Sequence, residues 1–189
     1  MSSSNKLAVP LAECFYLLHP YNATLVTTQA KEARPNILAV AWIIPVSTNP
    51  PLLALSIRRQ RYSYTLMQES GEFVVNIPTF DLRKQVLLCG RRSGRQHDKW
   101  KEAGLTPEKA SKVRVPHIKE CVAHIECKLE RAVKAGDHDL VIGRVLAASA
   151  LQGFFEHTWN LAKFRPCQHN GKDFFTTCGP ESIEPKLEG

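Results

Sequence analysis

The 189-residue chain has no apolar run long enough to cross a bilayer as a helix, and its Met1-Ser-Ser-Ser-Asn5 start lacks the charged and apolar regions of a secretory signal. These absences predict a cytoplasmic protein with no membrane partner. The chain also lacks a CxxC pair. Its six cysteines, at 14, 89, 121, 127, 167 and 178, are scattered, so reduced thiols are expected and a disulfide framework is excluded. In that setting the glycosylation sequon Asn22-Ala23-Thr24 is accidental. No GxGxxG follows a strand and there is no Walker loop; Gly90-Arg-Arg-Ser-Gly94 has too few glycines for either. No helix-turn-helix, zinc-finger or RNP pattern occurs, and no Ser/His/Asp order or close carboxylate pair suggests a hydrolase.

What is present is a composition with 43% hydrophobic and 23% charged residues, ordinary for one globular domain. The formal charge of +7 is uneven: residues 58–102 hold ten Lys or Arg against five acids, and the rest is near neutral. A local basic field suits a phosphate-bearing ligand, whether cofactor, dinucleotide or nucleic acid. Aromatics interleaved with that charge are sparse, essentially Tyr62, Tyr64 and Trp100, which makes a poor base-stacking platform. A basic barrel that binds single-stranded nucleic acid is therefore the third-ranked reading, and no nucleic acid is expected as partner.

The segment Pro45–Ser63, PVSTNPPLLALSIRRQRYS, concentrates the signal. Ser47, Thr48 and Asn49 lead into two prolines that restrict the backbone, Leu52–Ile57 reads as a buried strand, and Arg58, Arg59 and Arg61 follow together. Ser63 is a candidate N-cap for a helix to Gln68, so that helix amides, helix dipole and arginine would face one anion. From the residues alone, this segment is either a ligand wall or a hairpin with a solvated basic edge.

Elsewhere, β-branched runs predict strands at Ala23–Gln29, Ile37–Ile44 and Glu72–Ile77. A helix capped by Thr79 is expected through about Leu88, then a loop from Cys89 to Asp98, a helical turn Trp100–Ala103 ended by Gly104, and another helix starting at Thr106-Pro107. Cys121–Glu130 alternates apolar with polar, and the turn Gly136-Asp137 joins it to a hairpin partner, Leu140–Ala148. Six or so strands with short helices at the connections favour a mainly β fold, a barrel with peripheral helices. It is expected as one domain over residues 1–189, the barrel at about 11–151 and a C-terminal arm at about 152–189.

His117, Cys121, His124 and Cys127 have zinc-ligand chemistry, but strand alternation sends His124 to the face opposite Cys121 and Cys127. Core thiols, a surface histidine and no metal are predicted. Cys89 lies beside arginines that could lower its pKa, yet lacks a resolving partner, so a buried or phosphate-loop position is favoured over thiol chemistry.

Five motifs in order, over nearly the whole chain, resemble flavin reductase-like, flavoredoxin-type proteins of the FMN-binding split-barrel superfamily. They are Pro35-Asn36 leading to Val40-Ala41-Trp42; PVSTNPPLLALSIRRQRYS; GEFVVNIP at Gly71–Pro78; Cys89-Gly90 with Ser93-Gly94-Arg95 and Asp98-Lys99; and GDHDLVIGRV at Gly136–Val145. The resemblance implies a Greek-key split barrel, a homodimer, and FMN as cofactor with NAD(P)H as electron donor. It implies an FMN-binding oxidoreductase that passes electrons to an acceptor; the alternative is a non-enzymatic FMN carrier served by a redox protein partner. It further implies flavin-ring contacts from Ala41, Trp42, Ser47, Thr48 and Asn49, and ribityl and phosphate contacts from Ser56, Arg61, Tyr62 and Ser63. Asn36, Cys89, Ser93, Gly94, Arg95 and Lys99 belong to the same cofactor-binding set, while His169 and Phe174 form a lid. His138 would be the catalytic-side histidine near the flavin face, or else a turn histidine bonded to backbone.

Overall fold

In the computed structural model, which describes residues 6–181, the chain opens with a 3-10 helix, Leu11–Leu18. Strands β1 (Tyr21–Asn22), β2 (Thr24–Thr28), β3 (Asn36–Val40), β4 (Ile43–Thr48) and β5 (Pro51–Ile57) follow, then helix α1 (Tyr62–Ser70) and β6 (Glu72–Ile77). A 3-10 turn at Phe80–Leu82 leads into α2 (Arg83–Arg91) and α3 (Lys99–Ala103), then the short strands β7 (Pro107–Glu108) and β8 (His117–Ile118). A long hairpin, β9 (Ala123–Ala135) with β10 (His138–Ala150), precedes β11 (Gln168–His169) and β12 (Phe175–Thr176). No helix among the described residues is long and apolar enough to cross a membrane.

Seven strands form one antiparallel sheet in the order β3-β2-β6-β9-β10-β5-β4. Its two edge strands, β3 and β4, are consecutive in the chain and joined only by Ala41 and Trp42. A link of two residues spans less than ~10 Å, so the opposite edges must meet and the sheet must roll up. The result is the mainly β split barrel expected from the sequence.

Side-chain alternation fills both faces of this roll. Val26, Leu38, Val40, Leu55, Phe73, Val75, Cys127 and Val141 converge inside with Met67 of α1. Leu25 and Ile37 point the other way, against Val86 and Cys89 of α2 and Trp100 of α3. Gly143 is a strand glycine with a packing reason: a Cβ there would lie 2.3 Å from Phe73 Cζ.

Several expectations change. Ile37–Ile44 is two strands, because the chain crosses the barrel seam at Ala41-Trp42. The residues of the expected turn are partly strand: Ser47 pairs with Leu52 and Thr48 with Pro51, so only Asn49-Pro50 turns. Arg61, not Ser63, is the N-cap of α1, which runs to Ser70 before Gly71 closes it at φ 67°. Thr79 makes no side-chain cap, and the helix beyond it, α2, carries Cys89 and Gly90 inside it. Gly90 fits there because even a Cβ would approach Ala39 Cβ at 3.4 Å. Pro107-Glu108 is strand rather than helix. His124 is buried, not at the surface, because the chain from Glu108 to Ile118 covers the outer face of β9 with Val113, Val115, His117 and Ile118.

Candidate flavin cleft

The barrel seam opens into a cleft of about 820 Å³, within the range of small-molecule sites, ~300–1,000 Å³. Ala41, Trp42, Ser56, Arg61, His138 and His169, all singled out from sequence, line it together. The position of each follows from the fold. Ala41 and Trp42 are the link between the two sheet edges, and Ser56 N donates to Trp42 O at 2.9 Å, which extends the β4–β5 pairing one residue into the link. His138 opens β10 just after the hairpin turn, with its ring 5.4 Å from that of Trp42, and the Phe15 ring lies 5.6 Å from Trp42. The three rings form a tilted aromatic row at the cleft. His138 Nδ1 contacts its neighbour Asp137 Oδ1 at 2.7 Å, so the histidine is tied to a turn carboxylate and not to a backbone carbonyl.

The three clustered arginines separate cleanly. Arg59 Nε donates to Asp139 Oδ1 at 2.7 Å, and Tyr64 Oη donates to the other oxygen at 2.6 Å. Those two hydrogen bonds hold the Asp139 carboxyl below its ordinary range. Arg58 pairs with Asp137 at 3.1 Å. Arg61 lines the cleft with no carboxylate partner among the described residues. Of the three, it is the one whose guanidinium has no carboxylate within ion-pair distance among the described residues.

A second, polar cleft of about 360 Å³ gathers Asn36, Tyr62, Gly94, Arg95 and Lys99. Asn36 Nδ2 donates to Ser63 Oγ at 2.7 Å, and both residues are buried. Gly94 presses directly on that amide: a Cβ at this position would fall 2.1 Å from Asn36 Oδ1. The Arg95 guanidinium lies 5.1 Å over the Tyr62 ring and donates to Gln60 O at 3.2 Å. Ser93 turns its hydroxyl to Arg95 N, 3.4 Å away, and lines neither cleft.

Lys99 is buried, its ammonium donating to Ile37 O at 2.6 Å and Cys89 O at 2.9 Å. Burial lowers its pKa to about 8; Cys89 opposes that fall and the nearby Arg61 charge adds to it. The Cys89 thiol goes the other way, raised by burial to about 11 despite Lys99. The arginine-activated thiol suggested by sequence neighbours does not form. Cys89 packs in the outer core behind the cleft.

Some predicted residues stand apart. Ser47 faces a separate, mostly apolar cavity of about 500 Å³, and Thr48 and Asn49 are exposed at the hairpin tip, outside the cavities described here. Phe174 is exposed and does not reach the cleft; its neighbour Phe175 packs on the His169 ring at 5.6 Å. The tail is pinned by β11 pairing with β1, by an Arg91–Asp173 ion pair, and by His19 Nε2 to His169 Nδ1 at 3.3 Å.

Phe15, Tyr16, His19, Arg91 and Lys172 also line the cleft and were not singled out from sequence. The aromatic pair Phe15-Tyr16 ahead of His19-Pro20 was the available signal. Its significance depends on partners far along the chain, Trp42 beside Phe15 and His169 beside His19, which no local pattern displays.

Comparison with known proteins agrees with this fold. Residues 16–164 match the family model described as flavin reductase like domain. An uncharacterized protein of Archaeoglobus fulgidus is 36% identical over 169 residues, covering 89% of this chain and 94% of that one. A flavin reductase (NADH) of Kitasatospora aureofaciens is 33% identical over 128 residues, covering 68% of this chain and 65% of that one. An FMN-binding protein from Thermus thermophilus, solved with bound p-hydroxybenzaldehyde, superposes with a TM-score of 0.82 at 27% identity over 97% of this chain and all of the other. With the family model spanning most of its length, the chain belongs to the flavin reductase-like domain family.

Proposed function

We propose that this protein is an FMN-dependent oxidoreductase that accepts electrons from NAD(P)H and passes them to a further acceptor, working as a homodimer. One observation carries the reading: a single cleft has aromatic side chains at the barrel seam and an arginine without a carboxylate partner. The residues present suit FMN. A planar ring fits against Ala41 and Trp42, and Arg61 is free for a phosphate where α1 begins at Tyr62. Asn36, Ser63, Gly94 and Lys99 back that end with buried polar groups. When bound, FMN supplies hydride acceptance and onward electron transfer, chemistry that no side chain here provides.

The chain's own task is positioning. His138 and Phe15, each beside Trp42, offer aromatic surface against which a nicotinamide can be held near the flavin ring, and Lys172 at the cleft attracts its phosphates. His169 and Lys172 bring the tail over the cleft and exclude water from the contact. A carboxylate close enough to act as a general acid is not required, because hydride transfer between stacked rings needs none.

Stopped-flow absorbance of the FMN-loaded protein tests this reading. Mixing with NADH or NADPH should bleach the flavin band with saturating kinetics. Unchanged absorbance with both nucleotides, alongside rapid bleaching by a reduced redox protein, would replace the reductase with a non-enzymatic electron carrier.

A further inference from the structure

On the outer face of the barrel, the β7–β8 ribbon sets Glu108 directly opposite His117. His117 in turn stacks on His124 of β9, ring centroids 4.2 Å apart and planes within 5°. One donor atom from each of Glu108, His117 and His124 lies within 4.8 Å of the other two. We propose that these three residues form a binding site for a divalent transition-metal ion of the zinc class, which clips the ribbon onto the sheet.

The hydrogen bonds around the two rings carry the argument. Asn76 Nδ2 donates to Leu25 O at 2.9 Å, which fixes the amide so that Oδ1 faces the histidine as an acceptor; Ile118 N also donates to it at 2.9 Å. His124 Nδ1, 3.0 Å from Asn76 Oδ1, must therefore carry its proton, leaving Nε2 as a lone pair. His117 Nε2 lies 3.1 Å from Glu126 Oε1. That carboxylate already accepts from Ser111 N, Ser111 Oγ, Lys112 N and Val113 N, at 2.6–3.2 Å, so it is fixed in place as an acceptor. His117 thus donates from Nε2 and keeps a lone pair on Nδ1. An imidazole whose remote nitrogen is held by a carboxylate or carbonyl oxygen is the arrangement that orients metal-bound histidines and raises their basicity.

Two imidazoles and a carboxylate suit zinc and similar borderline ions, and leave a position for water. The histidines are buried and Glu108 is exposed, so the ion has a solvent path and a hydrogen-bonded floor. Coordination tilts the two rings out of parallel, and the ring that tilts is that of His117, on the two-residue ribbon strand, pivoting about its Nε2 bond to Glu126 so that this bond is kept. The set differs from the one considered in sequence. Cys121 packs in the outer core and Cys127 inside the barrel, so neither thiol takes part, and Glu108 supplies the third ligand. None of the three residues lines the flavin cleft.

The test uses the full-length, flavin-loaded protein stripped of metals, titrated calorimetrically with ZnCl2 alone and scanned for thermal stability. One Zn2+ per chain and a rise in Tm are expected. Glu108→Gln, an exposed and conservative change, should weaken binding by at least ~10-fold, and His117→Gln should abolish the Tm rise. Flavin absorbance should be unchanged in both variants. Substituting Co2+ should give a ligand-field band to the red of the flavin, lost in Glu108→Gln. Absence of stoichiometric binding, or binding that both variants leave intact, overturns the proposal.

Discussion

Three arginines within four positions mark phosphate chemistry in the sequence, but only the fold distinguishes them. Asp137 and Asp139 arrive from a hairpin some eighty residues later and take Arg58 and Arg59, so Arg61 alone is left for a ligand. Arg61→Ala should therefore weaken FMN binding by ~10- to 100-fold, the worth of charged hydrogen bonds, as read by fluorescence titration. Arg59→Ala should leave FMN affinity within a few-fold and instead lower the unfolding midpoint, because it leaves the buried Asp139 carboxylate without its cation and with Tyr64 as its remaining side-chain donor. Equal losses of FMN in the two variants would refute this division of roles. Lys99 gives a second prediction. Its folded pKa, about 8, lies below the ordinary 10.5, so between those values the unfolded chain binds more protons than the folded one. The apoprotein should gain stability as pH rises from about 8 to about 10.5, and that slope should vanish in Lys99→Met. A phosphate near the ammonium favours its charge, so FMN binding near pH 9 should take up a proton, detectable by calorimetry in buffers of different ionisation heat.

At the scale of elements, alternation and turn residues in the sequence locate most strands, and they miss where a tertiary contact overrides the local pattern. Ile37–Ile44 reads as continuous strand because nothing in its composition shows that two sheet edges must meet at Ala41-Trp42. Ser63 has the composition of a cap, yet its hydroxyl accepts from Asn36 on β3, and the cap falls two residues earlier, at Arg61. The alternation of β9 marks His124 as solvent-facing, and only the ribbon laid over that face buries it. Gly143 carries the prediction at this level. Gly143→Ala drives a methyl into the buried Phe73 ring and should destabilise the barrel by ~1–3 kcal/mol, measured by urea unfolding. Phe73→Leu in the same background should recover part of that loss.

For the whole molecule, five motifs in order made the family legible over nearly the full chain. The N-terminal 3-10 helix with its cap, which lies outside the five motifs, and the tail, where the resemblance pointed to His169 but not Lys172, supply much of the cleft: Phe15, Tyr16 and His19 from one, His169 and Lys172 from the other. Leu11, Leu17, Leu18, Ile44 and Val46 are all exposed, an apolar surface that a second copy would cover in the proposed homodimer. Sedimentation velocity should show a dimer, and Ile44→Glu should shift it to monomer; a monomeric wild type would remove dimerisation from the reading. The seam at Ala41-Trp42 has its own implication. There, among the described residues, the edge strands β3 and β4 share no ladder, and the cleft is lined by Val40, Ala41, Trp42 and Ser56 along that gap. A ligand in the cleft thus acts as the missing strand of the barrel, and amide exchange at Ser56 should slow on flavin loading while the far side of the sheet remains unchanged.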